Sequence, residues 1–395
     1  MSSSNTSIAP ETKRGMGQYF TTNEDLKGKI YEFILNSPDT ILEPSVGKGD
    51  LVEFIKARSP SVKFDMYEID TSIDPHPSIP KESVVYDDFM NPHIPAKTYK
   101  TIIGNPPFVR TKKGNLYIDF TEKCFHLLEE NGELVFIVPS DFFKLTSAAN
   151  LLNQMMTHGT FTHVFHPHNE RMFEGAAIDV VVFRYCKNKR LGKNVFHNDI
   201  PLHVVNSNGM ITFRDEPLTN APKLGDIFNI CVGLVSGKEN VFKNDTHGNI
   251  NMINGNGATE RYILLEEYPC PDKDTNEHLE LHKQELISRK IRKFDEKNWF
   301  EWGALRNMRT IREHMDNDCI YISNITRNPR VAFRGKVGYF GGGLIMMIPL
   351  KNHNLDRVVA YLNHDNFKTE FTYSGRFKIG HRQISNSQIP ESYLL

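Results

Sequence analysis

Up to about residue 220, short apolar runs of strand length alternate with longer stretches of helical periodicity. Strands are predicted at Thr40–Ser45, Lys63–Asp70, Ser83–Asp87, Thr101–Asn105, Glu133–Pro139, Thr162–His166 and Ile178–Tyr185. Helices are predicted at Glu24–Asn36, Asp50–Arg58, Leu116–Glu130 and Ser147–His158, the third stopping at Asn131-Gly132. Strands alternating with helices at this spacing predict an α/β fold, a parallel sheet with helices on both faces. Beyond Pro217 and Pro222 the alternation stops, and Gly, Asn and Arg become common among shorter apolar runs. A boundary near residue 220 is therefore expected, dividing the chain into 1–220 and a mixed α+β domain, 221–395.

Charge adds a second division. The whole chain nearly cancels, with 47 Lys+Arg against 48 Asp+Glu, which excludes a uniformly basic coat. The first 220 residues carry 23 basic and 27 acidic side chains; the remainder carries 24 and 21. Between Tyr321 and Arg382 there are ten basic and three acidic residues, interleaved with Phe333, Tyr339, Phe340, Phe371, Tyr373 and Phe377. A basic, aromatic stretch of this kind suits phosphates and bases, although it also suits a solvated surface. Five scattered cysteines without a C-x-x-C pair argue against a disulfide scaffold or a structural zinc site. No apolar run approaches 18 residues and the first ten residues lack an apolar signal core, so a soluble, cytoplasmic protein with no membrane partner is expected.

Chemistry concentrates at predicted strand ends. The segment Glu43-Pro44-Ser45-Val46-Gly47-Lys48-Gly49 follows a strand and opens a helix, a setting in which glycines let the backbone approach a ligand. It is neither a phosphate loop nor a full dinucleotide fingerprint. An acidic residue, Glu43, precedes the turn and suits an ammonium. Glu68, followed by Ile69, ends the next strand, where a carboxylate meets ribose hydroxyls in nucleotide-binding α/β folds. Asp88-Phe89 closes the third, suited to an adenine amino group and ring. An ammonium, a ribose and an adenine without phosphate describe S-adenosylmethionine.

The strand Thr101–Gly104 then runs into Asn105-Pro106-Pro107-Phe108. The prolines stiffen the turn and push Asn105 out of the helical region. The Asn105 side-chain oxygen and the Pro106 carbonyl match the two hydrogens of an exocyclic amine, and Phe108 offers a stacking face. An aromatic amine is a poor nucleophile because its lone pair delocalises into the ring. Two acceptors that hold its hydrogens favour a pyramidal nitrogen aimed at a sulfonium methyl.

With these motifs in this order the chain resembles the N6-adenine DNA methyltransferases of the gamma order, the Taq-type enzymes of restriction–modification systems. The resemblance runs from about residue 15 to 185. It implies a Rossmann-like S-adenosylmethionine-dependent methyltransferase sheet followed by a target-recognition domain. It also implies S-adenosyl-L-methionine as cofactor, leaving as S-adenosyl-L-homocysteine, and double-stranded DNA as partner, with room for a separate cognate restriction endonuclease. The N-terminal motif Gly17–Thr22 brings Tyr19, Phe20 and Thr21 to the cofactor, beside Glu43, Pro44, Ser45, Gly47, Gly49, Glu68, Ile69, Asp88, Phe89, Asn105 and Pro107. Asn105, Pro106, Pro107 and Phe108 become catalytic, and the target adenine flips out of the duplex to stack on Phe108 and Tyr185, or Phe183 in place of Tyr185. Arg110, Lys112 and Lys113 would face phosphates.

Two rival readings stay open. Protein-glutamine and some RNA amino-group methyltransferases share the N-P-P-[FY] motif, and a non-catalytic DNA-binding protein could keep the scaffold. The basic second domain and the N-terminal motif favour DNA methylation. Cytosine-N4 enzymes usually carry Ser in place of Asn105. No metal is expected: His158, His163, His166 and His168 lack a completing ligand geometry, and Pro271-Asp272 with Asp295-Glu296-Lys297 fits a nuclease pattern only loosely. Gly341–Gly343 reads as a strand irregularity, and Trp299 and Trp302 read as core of the second domain.

Overall fold

A computed structural model describes residues 19–94, 97–111, 114–188, 190–216 and 220–395. The chain divides into two compact units, Met1–Pro217 and Leu218–Leu395. No helix among the described residues is long and apolar enough to cross a membrane.

Among the described residues the first unit is built on ten strands: β1 (Thr40–Glu43), β2 (Lys63–Glu68), β3 (Val84–Tyr86), β4 (Tyr99–Gly104), β5 (Leu128–Pro139), β6 (Thr160–Phe165), β7 (Val180–Cys186), β8 (Asn194–His197), β9 (Ile200–Ser207) and β10 (Met210–Arg214). They form one sheet in the order β10-β9-β8-β6-β7-β5-β4-β1-β2-β3. Strands β3, β2, β1, β4 and β5 pair in parallel. The sheet is not parallel throughout, because β7 runs antiparallel between β5 and β6. No helix bridges β6 to β7, and a parallel return would need such a crossover. Strands β8 to β10 extend the sheet beyond the expected set through two-residue turns. Asn198-Asp199 and Asn208-Gly209 hold positive φ there, the conformation that matches hairpin twist.

Among the described residues, four α-helices flank the sheet: α1 (Glu24–Glu32), α2 (Asp50–Lys56), α3 (Leu116–Leu127) and α4 (Ala149–His158). Asn23 caps α1 by accepting from the Leu26 amide at 3.1 Å, and Glu24 and Asp25 complement the helix dipole. Helix α3 ends at Leu127, earlier than Asn131-Gly132, because Leu128 already pairs with Tyr99. The turn at Asn131, with φ 64°, lies where the strand register shifts.

Strand periodicity sorts the two cores. Val135, Ile137, Val180 and Val182 pack with Leu26, Ile30, Leu51 and Ile55 from α1 and α2. The alternate residues, Leu134, Phe136, Val138, Val181, Phe183 and Tyr185, pack with Tyr117, Phe120, Leu151 and Leu152 from α3 and α4. Tyr185 and Phe183 are therefore core residues, each 0% exposed. The Tyr185 hydroxyl donates to the Met155 carbonyl at 2.8 Å. Neither ring has a face free to stack on a base, so the expectation for both is corrected.

One buried charge pair joins α1 to the sheet. The Glu133 carboxylate, fully buried, accepts from Arg184 Nε at 2.8 Å and from the Leu35 amide at 3.1 Å through one oxygen. Its other oxygen accepts from the Asn36 amide at 3.0 Å and Thr101 Oγ1 at 2.9 Å. Arg184 also donates to Thr162 Oγ1 at 2.7 Å. All these partners surround a charge that water cannot reach, so removing the carboxylate strands a buried guanidinium and two amides.

The second unit is α+β. Its main sheet is antiparallel, in the order Phe228–Val232, Leu344–Pro349, Asp318–Ser323, Ala332–Lys336. Trp299 and Trp302 are buried in its core. Asp272 caps a helix start by accepting from the Asp274 amide and Thr275 Oγ1, and Asp295 accepts from the Lys297 amide, so both have local structural roles.

Glu133→Ala is expected to lower unfolding free energy by about 3–5 kcal/mol, read by denaturant titration of the whole chain. A loss below about 1 kcal/mol would show that α1 is held by packing alone.

Candidate functional site

At the carboxyl ends of β1, β2, β3 and β4 lies a cleft of about 570 Å³. Its walls come from the turn after β1, the ends of β2 and β3, the Asn105–Val109 turn and Tyr19–Thr21. Open α/β sheets bind ligands at this end because loops and helix N-termini converge there.

The turn after β1 closes tightly. Gly47 and Gly49 hold φ of 56° and 85°, which side-chain-bearing residues rarely adopt. A Cβ on Gly49 would stand 2.2 Å from Ile79 Cδ1, and one on Gly47 would stand 3.2 Å from the Phe20 ring. The Glu68 carboxylate secures this turn: Oε2 accepts from the Gly47 amide and Oε1 from the Asp70 amide, each at 2.9 Å. Glu68 is thus partly occupied by backbone. A carboxylate offers about four lone-pair sites, so acceptor capacity remains toward the cleft.

Glu43 ends β1 at 2% exposure, and neither carboxylate oxygen has a hydrogen-bond partner. Burial pushes its carboxyl well above the usual carboxylate range; the Ser45 backbone N–H, near the carboxylate but outside hydrogen-bonding geometry, offsets part of this, and the nearby Glu68 adds to it. Gly104, at the end of β4, leaves room for the carboxylate: a Cβ there would lie 2.9 Å from Glu43 Oε1. Burial also raises Glu68 and Asp50. Three acids strained toward neutrality at one cleft favour a cationic ligand.

Asn105 is held from one side. Its Nδ2 donates to the Tyr19 carbonyl at 2.7 Å and to Thr21 Oγ1 at 3.1 Å. This leaves Oδ1 as a buried acceptor without a partner. Ser45 Oγ donates to the Asn105 carbonyl at 3.3 Å, tying the two turns together. Beside it, Phe108 sits among Tyr19, Tyr117 and Phe173, with ring centroids at 5.8, 5.9 and 6.1 Å.

The remaining site residues divide. Ile69 is 66% exposed on the cleft wall, an apolar surface beside Glu68. Asp88 is exposed, and its Oδ1 accepts from the Met90 amide at 2.9 Å. Phe89 lines the cleft but is 2% exposed, packed on Tyr67 and Phe120 with the Lys123 ammonium over its ring. Pro44 and Pro107 line the cleft, and Pro106 between Asn105 and Pro107 is buried. Arg110 is exposed and bridges to Asn115. Lys112, Lys113, Gly17 and Gln18 lie outside the described residues. No metal-binding cluster occurs among the described residues. Sequence reading missed Tyr117 and Phe173 as neighbours of Phe108. Their proximity comes from α3 and from the β6–β7 connection, and no local motif announces it.

Residues 63–173 match the family model described as Eco57I restriction-modification methylase. This segment is similar to restriction–modification methylase domains. The match runs from β2 through Glu68, Asp88 and Asn105–Phe108 to Phe173, so it contains the cleft residues at the ends of β2 and β3 and in the Asn105–Val109 turn, but not Tyr19–Thr21 or the turn after β1. The Type II methyltransferase M.HincII of Haemophilus influenzae is 30% identical over 204 residues, covering 45% of this chain and 39% of that protein. Modification methylase CviBIII of Paramecium bursaria Chlorella virus NC1A is 31% identical over 154 residues, covering 34% and 40%. The chain spans about two fifths of the length of the curated relatives it matches. Among solved structures, the Type IIL restriction-modification enzyme MmeI in complex with DNA aligns over 96% of this chain and 69% of its own, with TM-score 0.62 and 10% identity. That likeness shows a shared fold across both units.

The Glu43 carboxyl yields a stability test. Its folded-state pKa lies above the ordinary 4.5, so its contribution to stability is complete below that value and is lost as pH rises through the folded-state pKa. Cofactor-free Glu43→Gln is therefore expected to melt a few degrees above the unaltered protein near neutral pH, with the gap shrinking toward about pH 4. Equal melting temperatures across that range would mean that Glu43 is not desolvated.

Proposed function

We propose that this chain is a gamma-order, site-specific DNA adenine-N6 methyltransferase of a restriction–modification system, using S-adenosyl-L-methionine. The carrying observation is the pair of buried, unpartnered acceptors at one cleft, Glu43 and Asn105 Oδ1. They suit the two ends of a methyl-transfer reaction. Glu43 would pair with the cofactor's ammonium, Glu68 with its ribose, and Ile69, Asp88 and Phe89 with its adenine. When bound, the cofactor supplies an electrophilic methyl on a positively charged sulfur, which the acidic cleft favours.

Asn105 does the orienting. Because Nδ2 is engaged by Tyr19 and Thr21, the amide offers Oδ1 to the substrate amine. Together with the Pro106 carbonyl, it holds the amine hydrogens and draws the nitrogen lone pair out of conjugation. No general base is needed before attack, since the proton can leave after the bond forms. Phe108 presents a ring for the flipped base, repaying part of the few kcal/mol that unstacking costs. The excess of basic residues within Tyr321–Arg382 supports duplex DNA as the substrate over a protein glutamine, although Phe340, Phe371 and Phe377 of that stretch are buried core. M.HincII and CviBIII, named as methyltransferase and methylase, support the same class of reaction.

With labelled cofactor and mixed-sequence duplex DNA, label is expected on adenine. Label on glutamine or cytosine, or none with the cofactor bound, would overturn the reading. Asn105→Ala is expected to lower transfer by more than ~100-fold. Glu43→Gln is expected to weaken cofactor binding roughly 30-fold or more in calorimetry, because it removes the buried partner of a cation.

A further inference from the structure

The mechanism leaves one buried constellation unused. Asp179 stands just ahead of β7, His166 just after β6 and Ser140 just after β5. The Asp179 carboxylate joins all three. Oδ1 lies 2.9 Å from His166 Nε2, and Oδ2 accepts from Ser140 Oγ at 2.7 Å. The Ser140 amide also donates to the Asp179 carbonyl at 2.9 Å. The side chains of His166 and Asp179 are only 9% and 11% exposed. His166 is held in turn by Asn198, which accepts from its amide at 2.7 Å and donates to its carbonyl at 2.9 Å.

The segment closed by this carboxylate is the connection 167–178, which has no helix and carries Phe173. Within it, the Ile178 amide donates to the Glu170 carbonyl at 2.8 Å, and Phe173 bridges to Ala176. Phe173 meets Phe108 nearly edge-on, at 80°, and lies 5.9 Å from Tyr19. A connection of this length between antiparallel strands has many accessible conformations, and closing its base restricts them.

We infer that Asp179 is a positioning residue: by joining the ends of β5 and β6 to the start of β7, it holds Phe173 against Phe108 and so sets the face on which the target base stacks. This inference rests on the proposed function. The hydrogen bonds of the carboxylate go to Ser140 and His166 and not to the Asn105–Phe108 turn, so its effect reaches the site through the loop.

Hydrogen exchange and steady-state kinetics on the full chain test it together, using Asp179→Asn and, independently, His166→Gln. Faster exchange over 167–178 is expected in both variants, with cofactor affinity unchanged. The rate constant kcat for DNA should fall by ~10–100-fold, as expected when a positioning contact is lost. Adding Phe173→Leu to Asp179→Asn should cost less than the sum of the two separate losses. Unchanged exchange over 167–178 overturns the brace, whatever the activity. Faster exchange with unaltered kcat overturns its role behind Phe108, as does full additivity. Unaltered protein that binds the cofactor but labels no DNA overturns the proposed function instead, and exchange then decides the brace by itself.

Discussion

The Asn105 side-chain amide has two hydrogens and one strong acceptor, and the fold uses the hydrogens to aim the acceptor. Nδ2 bonds to Tyr19 and Thr21, so a flip of the amide would set its oxygen against the Tyr19 carbonyl oxygen, which can only accept. The prolines at 106 and 107 remove backbone freedom on the other side. What reaches the cleft is a single buried oxygen with fixed direction. Its orientation depends on Tyr19–Thr21, the residues that lead into α1, and α1 is followed by the Leu35 and Asn36 amides that bond Glu133. A carboxylate on β5 thus underlies the direction of an amide beyond β4.

Two kinds of buried carboxyl coexist in the first unit. Glu133 is saturated with donors and joins elements together, whereas Glu43 is buried with no partner. Leaving a buried polar group unsatisfied costs about 1–3 kcal/mol, more for a charge. A fold can hold such a group where the surrounding sheet over-determines the position, and Glu43 sits on β1, flanked by β2 and β4. That imbalance is what a cation would relieve.

The second unit shows how little a charge count says about location. Arg289, 8% exposed, donates to the carbonyls of Leu286, Ser236, Trp299 and Glu301, and its guanidinium lies over the Phe294 ring. Burial lowers its pKa to about 10. Arg334 pairs with Asp318 and Asp356 at the surface. One basic residue is architecture and the other a solvated ion pair, and composition cannot separate them.

Local chemistry made much of this protein legible. Strand and helix placement followed from periodicity, and the Glu43–Gly49 turn and Asn105–Phe108 carry their meaning in consecutive residues whose backbone geometry is locally set. Even β8 to β10 left a trace, in Asn208-Gly209. Three things were decided only by tertiary structure. The antiparallel direction of β7 depends on a connection without a crossover helix. The side of the sheet that Tyr185 faces is a matter of register, and one step of parity puts it in the core. The neighbours of Phe108 and the engagement of Asn105 Nδ2 come from segments distant in the chain. Sequence determines what each stretch can do when its neighbours are its own, whereas pairing, register and long-range contact emerge only when those stretches compete for the same core.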